Sequence, residues 1–280
     1  GALTLAIDIF TNNYSKSFLH QLISSQLDMD RLDYLRRDSF YSGVTEGSVN
    51  SERLLTMLNV KDDQLVVDAK GIYSVEKFLV ARRLMYWQVY MHKTVLSAEF
   101  MLVNILKRAK YLANEGIELP GTIALRHFLN ADYSWNEFEE NPAVLEKFVL
   151  LDDYDVMSAI KDWTNHSDII LSELSRRVTD RNLLKIRLQA TPFAPEVSAR
   201  IGEAIKSQYG FSHGEEQYMY IEAKVKNHAY NNKKGHINLL YKDGHISDIS
   251  KAADQMTIKA LSEPVERHFI CFPRELKDLL

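Results

Sequence analysis

The sequence predicts a mainly α-helical protein that closes with a small α+β subdomain. Three observations carry that expectation. Apolar residues recur at helical spacing through roughly the first 190 positions. Pro195 and Gly210 then bracket a helix over Pro195 to Tyr209, proline suiting a first turn and glycine an end. From Gln217 to Lys226 the pattern alternates, with Met219, Ile221, Ala223 and Val225 on one face and Tyr218, Tyr220, Glu222 and Lys224 on the other, as in a half-buried strand. The expected domains are a helical part over 1–190 and an α+β subdomain over 191–280.

In chain order, Ala2, Leu3, Leu5, Ala6, Ile9 and Phe10 form a helical stripe with no cap or methionine before it, so the chain is expected to be a piece of a longer protein. A long helix is predicted from near Ser17 to Phe40. Arg53 to Val60 and Gln64 to Asp68 read as strands around a Lys61-Asp62-Asp63 turn. Ser74 is expected to cap a second long helix that passes Phe78, Met85 and His92 towards Ala113, until Gly116 and Pro120 break the pattern. Gly121 to Glu146 reads as a loop-rich lid or surface covering. Asp153 to Trp163 and Ile169 to Val178 read as amphipathic helices. Strands over His236 to Tyr241 and His245 to Ile249 flank an Asp243-Gly244 turn, and a helix (Ser250 to Leu261) and a strand (Arg267 to Phe272) follow.

Composition narrows the function classes. With 280 residues, 46% of them hydrophobic and 26% charged, the chain is that of an ordinary globular protein. A net charge of −4 supplies no global basic field, so nucleic acid is not an expected partner. No apolar run approaches the roughly 20 residues of a membrane span, and no membrane partner is expected. The single cysteine, Cys271, lies in an apolar run and reads as a small buried hydrophobe of a cytoplasmic protein. Walker loops, dinucleotide fingerprints, nucleophile elbows and Cys-x-x-Cys pairs do not occur. Asp152, Asp153 and Asp155 lack the glycine and glutamate of a calcium loop and read as a helix start.

The densest chemical signal is Leu27-Asp28-Met29-Asp30-Arg31-Leu32-Asp33-Tyr34, continuing to Asp38. At about 100° per residue, Asp30, Arg31, Tyr34 and Asp38 share one quadrant of a helix, while Met29, Leu32 and Leu35 anchor the other side. Such a face could hold a metal, a phosphate and a sugar. A solvated face laced with ion pairs such as Asp33 with Arg37 explains the same spacing. Arg82, Tyr86, Tyr90 and Lys93 share a second face, with His92 close by, and suit a polyanion carrying a ring. Snorkelling side chains over aromatic packing is the plainer explanation there.

The run from Ser24 to Asp38, followed by Lys70-Gly71-Ile72-Tyr73-Ser74-Val75-Glu76 and by Arg82 to Lys93, resembles the late motifs of the HD-superfamily phosphohydrolases, in particular their dGTPase-like branch, which includes the SAM- and HD-domain dNTP triphosphohydrolases. Asn238 to Gly244 and Cys271 to Leu276 resemble the tail of bacterial members. The resemblance implies that 1–190 is the C-terminal part of an HD-domain helical core. It implies Asp30 as the last ligand of a His…His-Asp…Asp metal site, holding a divalent ion (Mn, Mg, Fe, Ni or Zn). It also implies Arg31, Tyr34 and Asp38 as contacts to nucleotide phosphate and sugar, Arg82 as a phosphate-binding arginine and Tyr90 as a tyrosine beside the sugar. His92 and Lys93 match a region of nucleotide contacts, some of them regulatory. A homo-oligomer and a dNTP-like ligand follow from the same resemblance.

This chain departs from the pattern in one respect. No His-Asp dipeptide occurs in it. His20 precedes Asp30, and His127, His166, His213, His228, His236, His245 and His268 are scattered without metal spacing, as expected of surface or satisfied-core histidines. The expectation is therefore a metal-dependent nucleotide phosphohydrolase of which this chain is an inactive fragment, unable to retain the metal alone. A non-catalytic nucleotide sensor that controls assembly, or a helical interaction scaffold, are the competing classes.

Overall fold

A computed structural model describes residues 1–227, 229–231, 235–252 and 263–279. The fold is mainly α with small sheets, as the sequence predicts. The chain divides into two compact units, one of 1–92 with 225–266 and one of 93–224 with 267–280. Each unit thus takes chain from both sides of residue 190, which itself falls between a strand and a helix of the second unit.

In the first unit, α1 (Ala2–Phe10) and α2 (Ser17–Ile23) precede α3 (Met29–Ser42). The single helix expected over Ser17 to Phe40 is therefore two helices, broken over 24–28. Ser24 and Asp28 adopt non-helical conformations, and Asp28 turns its side chain back onto the Arg31 N–H at 2.8 Å as the N-cap of α3. Serine and aspartate side chains compete with the helical ladder in this way. Gly43, at φ 71°, ends α3 in the left-handed conformation that glycine adopts without cost. After α4 (Ser51–Met57), β1 (Leu58–Lys61) pairs antiparallel with β2 (Gln64–Asp68). The first predicted strand is thus helical up to Met57. Asp62 and Asp63 both take positive φ, the geometry of a two-residue hairpin turn.

The second long helix is also divided. α5 (Ile72–Met85) runs into a π-helical segment, Tyr86–Tyr90, before α6 (Lys93–Asn114) begins. Ser74 lies inside α5, whose first turn follows Gly71 without a side-chain cap. Unit 1 packs Leu35, Leu54, Val75, Phe78 and Leu79 in one core with Tyr230 and Leu239 from the later chain. β5 (Asn238–Leu240) joins β2 in parallel, and β6 (Ile246–Asp248) pairs antiparallel with β5 through the turn at Gly244. Of the helix expected over Ser250 to Leu261, most lies outside the described residues; Ile249–Lys251 is a single 3-10 turn.

The second unit is built on α6, with Met101 and Ile105 fully buried. The stretch expected to be loop-rich is helical: α7 (Ile123–Asn130), α8 (Trp135–Glu140) and α9 (Pro142–Phe148), capped by Thr122, Ser134 and Asn141. α10 (Asp153–Trp163), α11 (Ile169–Thr179) and α12 (Pro195–Tyr209) lie where expected. Asp152 caps α10 in a box with Asp155, the expected use of that acidic cluster. β3 (Lys185–Gln189), unforeseen, pairs with β7 (Val265–Phe272), which neighbours β4 (Ile221–Asn227). Gln217 and Tyr218 lie in a 3-10 turn ahead of β4. Cys271 is buried in β7 and burial pushes its thiol up to about 12, so it serves as a hydrophobe. Among the described residues no helix is long and apolar enough to cross a membrane.

Gly47 ends a 3-10 turn wedged against both α3 and α5, and a Cβ there would lie 2.3 Å from Met85 Sδ and 2.9 Å from Ser39 Cβ. Overpacking of this kind costs about 1–3 kcal/mol. Gly47→Ala is expected to lower the urea unfolding midpoint by a corresponding amount. An unchanged midpoint would mean that the buried Met85 side chain swings aside freely.

Candidate functional site

The site is built from the N-terminus of α3 and the end of α5. Asp28, only 1% exposed, accepts hydrogen bonds from the Ser25 N–H (3.0 Å) and the Arg31 N–H (2.8 Å), and it forms an ion pair with the Arg31 guanidinium. Arg31 Nη1 also donates to the Ser25 carbonyl at 2.6 Å. The guanidinium is thereby fixed back along its own helix start.

Arg82, from the last full turn of α5, reaches the same region. Its Nη1 approaches Gln26 Oε1 at 3.4 Å and the Ala229 carbonyl at 3.3 Å, and its guanidinium lies 5.8 Å from the Tyr86 ring centre. Burial, then the nearby positive charge of Arg82, lowers the Arg31 pKa. Each of the two guanidiniums keeps a buried Nε–H with no hydrogen-bond partner among the described residues.

The π-helical segment widens the turn so that Tyr86 and Tyr90 stand edge to face, 5.1 Å apart, with Tyr34 of α3 a further 5.9 Å from Tyr90. The Tyr90 hydroxyl donates to Asp38 Oδ2 at 2.7 Å. Burial and the Asp38 carboxylate both push Tyr90 well above the ordinary phenol range. Tyr34 is pushed up to about 12 by burial and by the neighbouring Tyr86 hydroxyl.

Arg31, Tyr34, Asp38, Arg82 and Tyr90 are thus gathered in one place. Asp30 is exposed at the first turn of α3. Lys93 opens α6 and, with Lys185, Arg274 and Lys277, lines a cavity of about 650 Å³ in the second unit. His92 is exposed ahead of it, and His228 lies outside the described residues. Sequence reasoning did not single out Asp28, whose burial spacing does not reveal, or Gln26. Tyr86 belongs to the face that the sequence offers to a polyanion carrying a ring, although the family resemblance assigns it no contact. Asp33 and Arg37 do form the surface ion pair of the plainer explanation, at 2.6 Å, beside the gathered set and not in place of it.

Among the described residues no three His, Cys, Asp or Glu side chains are grouped to hold an ion. Asp30 is a lone candidate ligand, and the described residues by themselves do not fit a metal.

The raised pKa of Tyr34 makes stability depend on pH. Its folded pKa lies above the ordinary value of 10, at about 12, so its contribution is complete below pH 10. It is lost as pH rises towards 12, because the unfolded chain ionises first. Urea midpoints measured from about pH 9 to about pH 11 are expected to fall for the wild type and to fall less steeply for Tyr34→Phe. Identical slopes would mean that Tyr34 titrates as an exposed phenol.

Comparison with known proteins adds a lineage to this geometry. Residues 49–119 match the family described as HD associated region. The uncharacterized protein YwfO of Bacillus subtilis is 36% identical over 178 residues, covering 64% of this chain; the chain spans 39% of that protein's length. The Dictyostelium discoideum homologue of the deoxynucleoside triphosphate triphosphohydrolase SAMHD1 is 31% identical over 97 residues, which are 34% of this chain and 19% of that protein. Among solved structures, a phosphohydrolase of Bacteroides thetaiotaomicron superposes with a TM-score of 0.91 at 47% identity, covering 97% of this chain and 68% of its own. With nearly its whole length matched to that phosphohydrolase and its α4-to-α6 stretch matched to a region associated with HD domains, the chain belongs to the HD-superfamily phosphohydrolases.

Proposed function

We propose that this chain supplies the ligand-holding part of a nucleotide phosphohydrolase, with Arg31 and Arg82 on phosphate oxygens and Tyr34, Tyr90 and Asp38 beside the sugar of a dNTP-like ligand. The observation that carries the reading is the arginine pair. Two guanidiniums are held close enough that one depresses the pKa of the other, and each keeps an unpartnered buried N–H. A buried donor without a partner costs about 1–3 kcal/mol, and an anion bridging the two would offset both the missing bonds and the repulsion. Phosphate fits, because guanidinium donors match its oxygens.

The tyrosines supply flat apolar walls beside that charge. The Tyr90–Asp38 bond holds the carboxylate oriented, and its second oxygen, 3.9 Å from Arg37 Nε, has a lone pair to accept from a sugar hydroxyl. The family likeness and the Dictyostelium relative support a deoxynucleoside triphosphate as the ligand. Asp30 is the metal ligand implied by resemblance. Since the described residues do not complete a metal set, this reading assigns the chain binding and orientation, and it binds nucleotide without cleaving it.

A second reading, nucleotide sensing, is favoured by the Lys93 cavity. Four cationic side chains line it, and its one carboxylate, Glu275, is tied to Arg177 at 3.1 Å. In that reading occupancy of the cavity controls the assembly of copies.

Calorimetric titration of the chain with the dNTPs tests both. Saturable binding is expected, weakened at least about tenfold by Arg82→Ala, since a hydrogen bond to a charged group contributes about 1.5–3 kcal/mol. Loss of a second binding step in Lys185→Ala, with the first step intact, would assign the sensing role to the cavity. Absence of binding, or an Arg82→Ala variant that binds like wild type, would overturn the nucleotide reading and favour a scaffold.

A further inference from the structure

Asp248, at the end of β6, is a heavily engaged carboxylate of the first unit outside the arginine site. Its side chain is 8% exposed. It accepts from the Tyr230 hydroxyl at 2.5 Å, from the Ser250 N–H at 2.8 Å, from the Ser250 hydroxyl, and from His236 Nδ1 at 2.8 Å. Burial pushes this carboxyl up, but the hydrogen bonds from Ser250, Tyr230 and His236 outweigh it and hold the group below the usual carboxylate range.

The consequence falls on His236. With Nδ1 committed to Asp248, the ring is fixed in orientation and Nε2 is the nitrogen left to act. The imidazole is 59% exposed, so it is not there to fill the core. A carboxylate that fixes one nitrogen of a histidine and leaves the other at the surface is the arrangement by which proteins aim an imidazole at a ligand.

The dyad lies beside the loop that holds the arginine pair. His236 lines a small cavity of about 20 Å³ together with Gln21, Ser25 and Leu27. The carbonyl of that same Ser25 receives Arg31 Nη1 at 2.6 Å. The chain leading to His236 is bound to the same loop: Gln26 Nε2 donates to the Asn231 carbonyl at 3.0 Å, and Arg82 donates to the Ala229 carbonyl. A Cβ on Gly235 would be 3.8 Å from Gln26 Cγ, so the backbone beside His236 packs on this loop directly. The dyad and the two guanidiniums therefore flank one short stretch, 25–28.

We infer that His236, oriented by Asp248, is a further phosphate-contacting side chain of this site, its Nε2 side meeting the outer phosphate oxygens of a polyphosphate whose inner oxygens lie on Arg31 and Arg82. The inference rests on the nucleotide reading above. It extends the ligand-holding set to the β5–β6 hairpin and makes the site selective for a chain of phosphates over a single one.

The alternative is that His236 only staples Asp248 in place. Asparagine distinguishes the two, since its amide can replace the Nδ1 donor to Asp248 but not Nε2, whereas glutamine reaches the Nε2 position. Inorganic tripolyphosphate is the probe, titrated calorimetrically into the chain, with urea midpoints measured alongside. His236→Asn is expected to keep its midpoint and bind tripolyphosphate roughly five- to tenfold more weakly, a loss in the range of one hydrogen bond to a charged group. His236→Gln is expected to recover most of it. In the wild type, the ¹⁵N resonance of His236 Nε2 is expected to move on saturation more than that of Nδ1.

If wild type binds tripolyphosphate while His236→Asn binds it equally, or the Nε2 resonance stays in place at saturation, the histidine is a staple and the inference fails with the nucleotide reading intact. If wild type binds neither tripolyphosphate nor any dNTP, both fail together. The resonance keeps the result decisive even if the asparagine variant unfolds.

Discussion

The Asp28 carboxylate stands at the N-terminus of α3 with two backbone N–H groups and a guanidinium on it, almost wholly out of water. A buried carboxylate survives only when paired and hydrogen-bonded, and removing one partner of such a pair costs on the order of 3 kcal/mol. Three features of the site descend from this constraint. The cap fixes where α3 starts, which ends the helical run from Ser17. The ion pair fixes the direction of Arg31. The Ser25 N–H that donates to Asp28 fixes the loop whose carbonyl takes the other side of the same guanidinium. A charged group this well determined does not adapt to a ligand; it waits in one geometry, which is what pre-organised recognition needs.

The other half of the arrangement comes from far along the chain. Residues 225–252 return to the first unit, where β5 extends the β1–β2 hairpin in parallel and Tyr230, Ile237 and Leu239 enter the core. This return supplies the carbonyl of Ala229 to Arg82 and that of Asn231 to Gln26. Without it Gln26 Nε2 would lose its acceptor, and Arg82 Nη1 would keep only Gln26 Oε1 at 3.4 Å. Closing so long a loop adds only a slowly growing entropic cost, and the apolar burial of Tyr230 and Leu239 opposes it. The C-terminal stretch is thus a wall of the site as much as a separate layer of the fold.

What the sequence made legible follows from what each signal is made of. Local signals survived: the proline-to-glycine bracket of α12, the alternation of β4 and the Asp-Gly turn before β6 all depend on neighbours within a few positions. The two long helices did not survive intact, because their breaks come from side chains that act at a distance from the periodicity. Asp28 interrupts the first by capping, and the π segment interrupts the second where Tyr86 and Tyr90 turn towards Tyr34. β3 was missed since Lys185 to Gln189 is a short mixed run whose identity as a strand is set by β7, some eighty residues later. The cluster of Arg31, Tyr34, Asp38, Arg82 and Tyr90 was legible through two motifs. The His236–Asp248 pair was not, for His236 lies just ahead of β5 and Asp248 at the end of β6, and the two share no helical or metal spacing.

The two explanations of the charged α3 face also prove compatible, and comparing them shows which residues need a reason beyond folding. Asp33 and Arg37 are both more than half exposed, and a surface pair of that kind contributes about 0–1 kcal/mol. It needs no further account. Arg31 and Arg82 are different in kind. Bringing two guanidiniums together lowers the pKa of one of them and strands two buried N–H groups, although Asp28 pairs with Arg31. The Asp28 pair and the Ala229 carbonyl give each guanidinium a structural anchor, but neither contact satisfies the two Nε–H groups or removes the repulsion. Under the proposed reading, a phosphate accepting several hydrogen bonds at once would relieve both the repulsion and the unpartnered donors.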